Sequence, residues 1–201
     1  YCHLHPLGWW LPGGASNTGG ECLAEEFGAE ETEERTPRVP EVSPTGAVVY
    51  PLVGRGERFP FADPDAEAFM LGEPESRDDL FASYLEGVAC LERLAYETLE
   101  GLGARLGEEI RSAGGGSRSG PWLQIRADLL GRRVSRPAVT GAAMGAAIVG
   151  AGMAEFGDLL EAADAMVRIE QAKEPRPEMA GAYEEQYRRF RAECARRGYI
   201  D

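Results

Sequence analysis

The chain has 201 residues, 43% of them hydrophobic and 27% charged, the balance of a soluble globular protein with one large domain or two small ones. Its 34 acidic and 21 basic residues give a formal net charge of −13, which argues against nucleic acid or an anionic membrane as the main partner, since both select a basic face. A small anionic ligand stays open, because backbone N–H groups can hold one inside an acidic protein.

The opening, YCHLHPLGWW, has no methionine and reads as a trimmed chain or a piece of a longer protein; it shows no signal peptide. A strand is expected near Gly8–Leu11. His3 and His5, the only histidines, would share one face of a strand, and a structural strand explains them better than a metal site. Asn17 or Thr18 is expected to cap a helix through GGECLAEEFG that stops at Gly28. Residues 30–46 combine acids, prolines and small polar residues, so a surface segment with little buried area is expected. The acidic run Glu25, Glu26, Glu30, Glu31, Glu33 and Glu34 fixes no ligand geometry and reads as a solvated face. AVVYPL is a strand of β-branched and aromatic residues closed by Pro51. GRGERFPFADPDA is a loop, and turn chemistry accounts for Asp63 and Asp65 more simply than acid–base work.

The strongest helix signal spans about Asp78 to Gly101. Phe81, Tyr84, Leu85, Val88, Leu91, Ala95 and Leu99 form its apolar stripe, with Glu86, Glu92, Arg93 and Glu97 mostly opposite. A short segment, Glu109–Ser112, then leads into SAGGGSRSGPWLQIRADLLG. Here Gly114, Gly115 and Gly116 precede a helix from about Gly120 to Leu130, with Pro121 in its first turn and a stop at Gly131. RRVSRP reads as a short strand. AAMGAAIVGAGM reads as a small-residue helix that lets another backbone come close; its stretch Thr140–Phe156 is too short to span a bilayer. A last helix is expected from about Pro177 to Arg197, with Tyr183, Tyr187, Phe190 and Cys194 on one stripe. Strands alternating with helices in the second half give an α/β layer architecture.

The glycine loop is the one candidate for chemistry. Glycine lets a ligand approach the main chain, and the following helix offers unpaired N–H groups at a positive dipole end. The spacing is neither G-x-G-x-x-G nor a P-loop, since no lysine follows and Lys173 is the only one. On spacing alone, a structural turn and a ligand loop are equally supported. Cys2, Cys22, Cys90 and Cys194 form no C-x-x-C pair, so reduced, partly buried thiols in a cytoplasmic protein are expected, with neither zinc nor a disulfide framework.

Four stretches together resemble the C-terminal domain of the FGGY family of carbohydrate kinases. YCHLHPLGWWLPGGASNTGGECL resembles the segment after the family's second phosphate motif. YLEGVACLERLAYETL resembles its helix with a central E-G-[IV]-A. AGGGSRSGPWLQIRADLLGRRV is similar to G-G-G-[AS]-x-[SN]-x-x-W-x-Q-[IM]-x-A-D-x-L-G, and GAAMGAAIVGAG to the A-A-x-G-A-A helix that follows. YPLVGRGERFPFADPDA resembles the D-ribulose kinase-like branch.

The resemblance implies an actin-like ATPase (ribonuclease H-like) domain over residues 1–201, a mixed sheet flanked by helices, supplying most of the ATP contacts of a two-domain enzyme. It implies Gly114, Gly115, Gly116 and Ser119 against the adenosine, and Gly19 and Gly20 facing it from the other side. ATP with Mg²⁺ and a sugar, a pentulose, are the implied ligands, and a homodimer is left open. The family's sugar site, first phosphate motif, catalytic aspartate and threonine-containing phosphate loop lie upstream of the stretch matched here, so no catalytic residue is assigned to this chain. Thr140-Gly141 stands where the family often has a glutamate. A binding or regulatory module that kept the fold without catalysis is the alternative.

Overall fold

The computed structural model describes residues 1–201. The chain enters as an antiparallel hairpin, β1 (Cys2–Leu4) paired with β2 (Trp10–Pro12), all of whose strand residues are exposed. His5 stacks on Trp9 across it, with ring centroids 5.1 Å apart. Two short helices follow, α1 (Glu21–Glu26) and α2 (Gly28–Arg35), then α3 (Val39–Val42). Gly28 breaks α1 from α2 at φ +69°, where a side chain would be strained.

Residues 30–46 lie at the surface as expected, with only Val39 and Thr45 buried, and they fold there into the rest of α2 and into α3, which their composition did not show. Composition alone could not show what holds α2. Its Glu31 takes Arg35 on one side and Arg77 on the other, both 2.7 Å or closer. These two guanidiniums, Arg77 first, hold the Glu31 carboxyl down at about 2. Arg35 also bonds Asp78, so α2 is stapled to the start of the next long helix. Val39 then enters the core.

β3 (Val48–Tyr50) pairs antiparallel with β4 (Phe69–Leu71), an element the sequence reading passed over. α4 (Arg77–Gly101) runs 25 residues, capped by Ser76, whose Oγ accepts from Asp79 N at 3.0 Å. It crosses β3 at Gly87 and packs on α5 (Gly120–Leu130). β5 (Glu109–Arg111), β6 (Arg133–Pro137) and β7 (Ile169–Lys173) form one three-stranded sheet in that order, parallel then antiparallel. Between β6 and β7 lie α6 (Ala142–Ala151), a π-type turn and α7 (Leu159–Met166). α8 (Ala180–Arg196) closes the core, and Tyr183, Tyr187, Phe190 and Cys194 are all buried as its stripe predicts. The architecture is mixed α/β, but with three small sheets in place of one continuous mixed sheet.

Glu86 corrects the reading of α4. It is not on a solvated face but fully buried, its carboxylate accepting from Thr45 Oγ1 and Gln186 Nε2, each at 2.6 Å. Burial pushes its carboxyl above the usual range. α4 is covered on several sides by β3, α5 and α8, so a one-face pattern describes only part of its surface. α6 is a second correction. None of its residues is buried, and nothing lies within 4 Å of a Cβ built on Gly145 or Gly150. A backbone comes close only at the end of the small-residue stretch, at buried Gly152, where a Cβ would stand 3.0 Å from Leu159 Cα and 3.3 Å from Asp158 O. No single helix is long and apolar enough to cross a membrane.

Three of the four cysteines are buried and Cys2 is exposed. Burial pushes the Cys22 and Cys194 thiols up to about 12 and Cys90 well above its ordinary value. Since the thiolate is the reactive form, titration of the native chain with a disulfide reagent should release one fast equivalent, from Cys2, and the rest only on unfolding. Two or more fast equivalents would contradict this packing.

Candidate functional site

The glycine loop begins where β5 ends. Gly114 sits at φ +83° with extended ψ, a conformation reserved for glycine, and turns the chain into a 3₁₀ turn over Gly115–Arg118. Ser117 Oγ donates to Gly114 O at 2.7 Å and closes that turn. Ser119 then caps α5, its Oγ accepting from Trp122 N at 3.2 Å. The hydroxyl proton of Ser119 stays free for a ligand acceptor, and the N-terminal end of α5, with its positive dipole, stands beside it.

A Cβ on Gly116 would stand 2.6 Å from the Trp122 ring, so this glycine lets the loop lie against the indole. A Cβ on Gly115 meets nothing within 4 Å; its backbone faces open space. The rest of the motif secures the platform from behind. Trp122 Nε1 donates to Leu85 O at 3.1 Å. Asp128, its side chain wholly buried, accepts from Arg176 N, Nε and Nη2 at 2.7–2.9 Å, and Gln124 Nε2 donates to it at 3.0 Å. These charge-assisted bonds tie α5 to the chain entering α8.

Across from the loop lies the second glycine pair. The expected cap at Asn17 or Thr18 is corrected here: α1 has Gly20 at its N-cap with no side-chain bond. Asn17 N and Thr18 Oγ1 donate instead to the Glu57 carboxylate, at 2.5 and 2.9 Å.

Gly20, Gly115, Gly116 and Ser119 line one cleft of about 960 Å³, with Arg118 and Trp122 beside them. Gly19 and Gly114 do not line it; Gly114 shapes the loop that does through its positive φ, and Gly19 directly precedes Gly20. Sequence reading missed the third wall, made by Ala29, Thr32, Glu33 and Thr36 of α2 and the turn after it. Their i, i+3, i+4, i+7 spacing is a helical face, a signal masked by the surrounding charge. Gly116 and Trp122 also face a second cavity, of about 520 Å³, reached from the β5 side. No group of three His, Cys, Asp or Glu side chains is arranged to hold a metal ion.

Residues 7–154 match the FGGY family of carbohydrate kinases, C-terminal domain. The chain is 29% identical over 144 residues to a xylulose kinase of Staphylococcus epidermidis, covering 68% of this chain and 28% of that protein. It is 32% identical over 151 residues to a glycerol kinase of Thermococcus gammatolerans, covering 73% of this chain and 29% of that protein. A ligand-bound xylulose kinase from Lactobacillus acidophilus shares the fold, with a TM-score of 0.79 at 21% identity over 97% of this chain and 41% of that one. The chain thus spans less than a third of either of the two relatives.

Proposed function

Because the chain belongs to the FGGY family of carbohydrate kinases, we propose that residues 1–201 are the C-terminal, nucleotide-binding domain of an ATP-dependent sugar kinase with an actin-like ATPase (ribonuclease H-like) fold. Within the longer enzyme it would serve transfer of the ATP γ-phosphoryl group to a sugar hydroxyl. A pentulose is the proposed acceptor, on the strength of the likeness to xylulose kinases.

One observation carries the reading: two glycine segments far apart in sequence, at Gly20 and at Gly115–Gly116, face one cleft large enough for a nucleoside. The residues present fit such a ligand. Bare backbone at Gly115 permits close approach, the Ser119 hydroxyl and Arg118 offer donors, and the α5 N-terminus favours negative charge. Glu33 and the Thr32 hydroxyl, on the opposite wall, are the acceptors available to a base amino group. Gly114 acts through the loop it shapes, and Gly19 is the neighbour of Gly20 in the facing segment.

Phosphoryl transfer depends on positioning and on charge neutralisation, the latter being the chemistry Mg²⁺ would supply when bound with ATP. No residue of this chain is assigned to that ion or to the removal of the hydroxyl proton; both tasks fall to the rest of the enzyme. Titration of ATP into the chain should therefore give saturable binding, while ATP with ribulose or xylulose gives no ADP in the presence of this chain alone. Absence of ATP binding would overturn the nucleotide reading. Sugar-dependent ADP release would overturn the division of labour.

A further inference from the structure

Glu57 is the most densely engaged carboxylate in the molecule, and nothing in the nucleotide reading uses it. It is 4% exposed. Its Oε1 accepts from Asn17 N at 2.5 Å and Arg58 N at 2.9 Å. Its Oε2 accepts from Ser16 Oγ at 2.8 Å, Thr18 Oγ1 at 2.9 Å and Tyr50 Oη at 3.0 Å. The adjacent Arg58 guanidinium does not pair with it; it donates to Asn17 Oδ1 at 2.5 Å and Ser16 O at 3.4 Å.

A buried carboxylate without a cation is costly unless its oxygens are fully hydrogen-bonded. Here three of the five donors belong to one segment, Ser16–Thr18, which runs directly into Gly19 and Gly20; the other two are Tyr50 Oη of β3 and the neighbouring Arg58 N. The host loop is itself rigid. Glu57 and Asp63 exchange backbone bonds of 2.8 and 3.0 Å, and Gly56, at φ +88°, lies against Pro64 O. Asn17 Nδ2 donates back to Gly56 O at 2.9 Å.

The glycine pair needs such an anchor. Upstream, the β1–β2 hairpin is exposed throughout and cannot fix it. α1 has no side-chain cap. Yet a Cβ on Gly20 would lie only 3.9 Å from the Trp122 ring, so a small displacement of this segment changes the width of the cleft.

We propose that Glu57 is a positioning residue for the nucleotide cleft: its carboxylate clamps Ser16–Thr18 and thereby sets the Gly19–Gly20 wall opposite Gly115–Gly116. The inference rests on the nucleotide reading of that cleft. Glu57→Gln keeps one acceptor oxygen for the two backbone donors and replaces the other with an NH₂ group that cannot accept from three hydroxyls.

ATP titrated into the Glu57→Gln chain should bind roughly tenfold more weakly than to wild type, the loss expected for hydrogen bonds to a charged group. Hydrogen exchange at Asn17–Glu21 should quicken in the same variant. Glu86→Gln alters an equally buried carboxylate that does not line the cleft and should leave ATP affinity unchanged. Thr18→Val, which removes one donor, should weaken binding about threefold, and Thr18→Ser should restore it; this pair carries the test if Glu57→Gln does not fold. Wild-type affinity in both Glu57→Gln and Thr18→Val, or equal losses in Glu57→Gln and Glu86→Gln, would overturn the clamp while leaving the nucleotide reading intact. A wild-type chain that binds no ATP would overturn both.

Discussion

Gly87→Ala is expected to lower the melting temperature by roughly 6–12 °C, from about 3 kcal/mol of lost stability in a domain of this size. The cause is the crossing of α4 over β3. A Cβ on Gly87 would stand 2.2 Å from Val49 O, and 3.0 Å from both Val49 C and Pro51 Cδ. Two of these are backbone atoms of the buried strand, so no rotamer change relieves the clash; helix and strand must separate. Separation would open the core where Tyr50, Leu85 and Cys90 are buried and would strain the Glu86 bonds to Thr45. Gly101→Ala is the control. It lies on the same helix, nothing approaches its Cβ position, and its expected effect is neutral or slightly stabilising. Thermal denaturation followed by circular dichroism separates the two. Equal melting temperatures would mean that α4 and β3 do not meet at Gly87.

That crossing also gives physical content to the E-G-V-A stretch, Glu86–Ala89. As sequence it was a family likeness; in the fold, Glu86 ties α4 to Thr45 and Gln186, and Gly87 makes room for β3. The elements legible in sequence were those with strong local signals. α4 and α8 carried long periodic stripes, α5 had Pro121 near its start and Gly131 at its end, and β3 was a run of β-branched and aromatic residues. The elements that were not legible are held by distant partners. α2 is charged on most of its length and depends on Arg77 and Asp78, more than forty positions away. β4 and β7 are short and gain order from pairing with β3 and β6. Asn17 or Thr18 was expected to cap a helix, and a cap is the correct local preference. Glu57 wins because a buried charged acceptor outcompetes the neutral alternative.

The candidate site divides in the same way. Ser119 entered through the family likeness alone; that it caps α5 was not read from the sequence, although the helix behind it was legible from Pro121 and Gly131. The α2 wall was not legible, because its cleft-facing spacing is shared with an ordinary solvated face. Trp122, Gln124 and Asp128 were legible as a motif but not in role. Their bonds run to Leu85, Glu174 and Arg176, so they hold the loop from behind.

Gly115→Trp should therefore remove ATP binding from a folded chain. Gly115 and Gly116 are adjacent, yet their surroundings differ. At Gly116 an added Cβ strikes the buried Trp122 ring at 2.6 Å, so Gly116→Ala should act on stability. At Gly115 no atom lies within 4 Å and φ is not positive, so the backbone admits a side chain that projects toward the cleft. Displacing a nucleotide from this wall should remove about 3 kcal/mol, roughly a hundredfold in Kd. An indole could itself stack on a base, so Gly115→Leu is the necessary companion: it fills space without an aromatic face. Loss of binding in both variants, with unchanged melting temperatures, assigns the effect to occupied volume at the cleft. Wild-type affinity in both would move the nucleotide away from this loop, while loss accompanied by a fall in melting temperature would show that Gly115, like Gly116, serves packing.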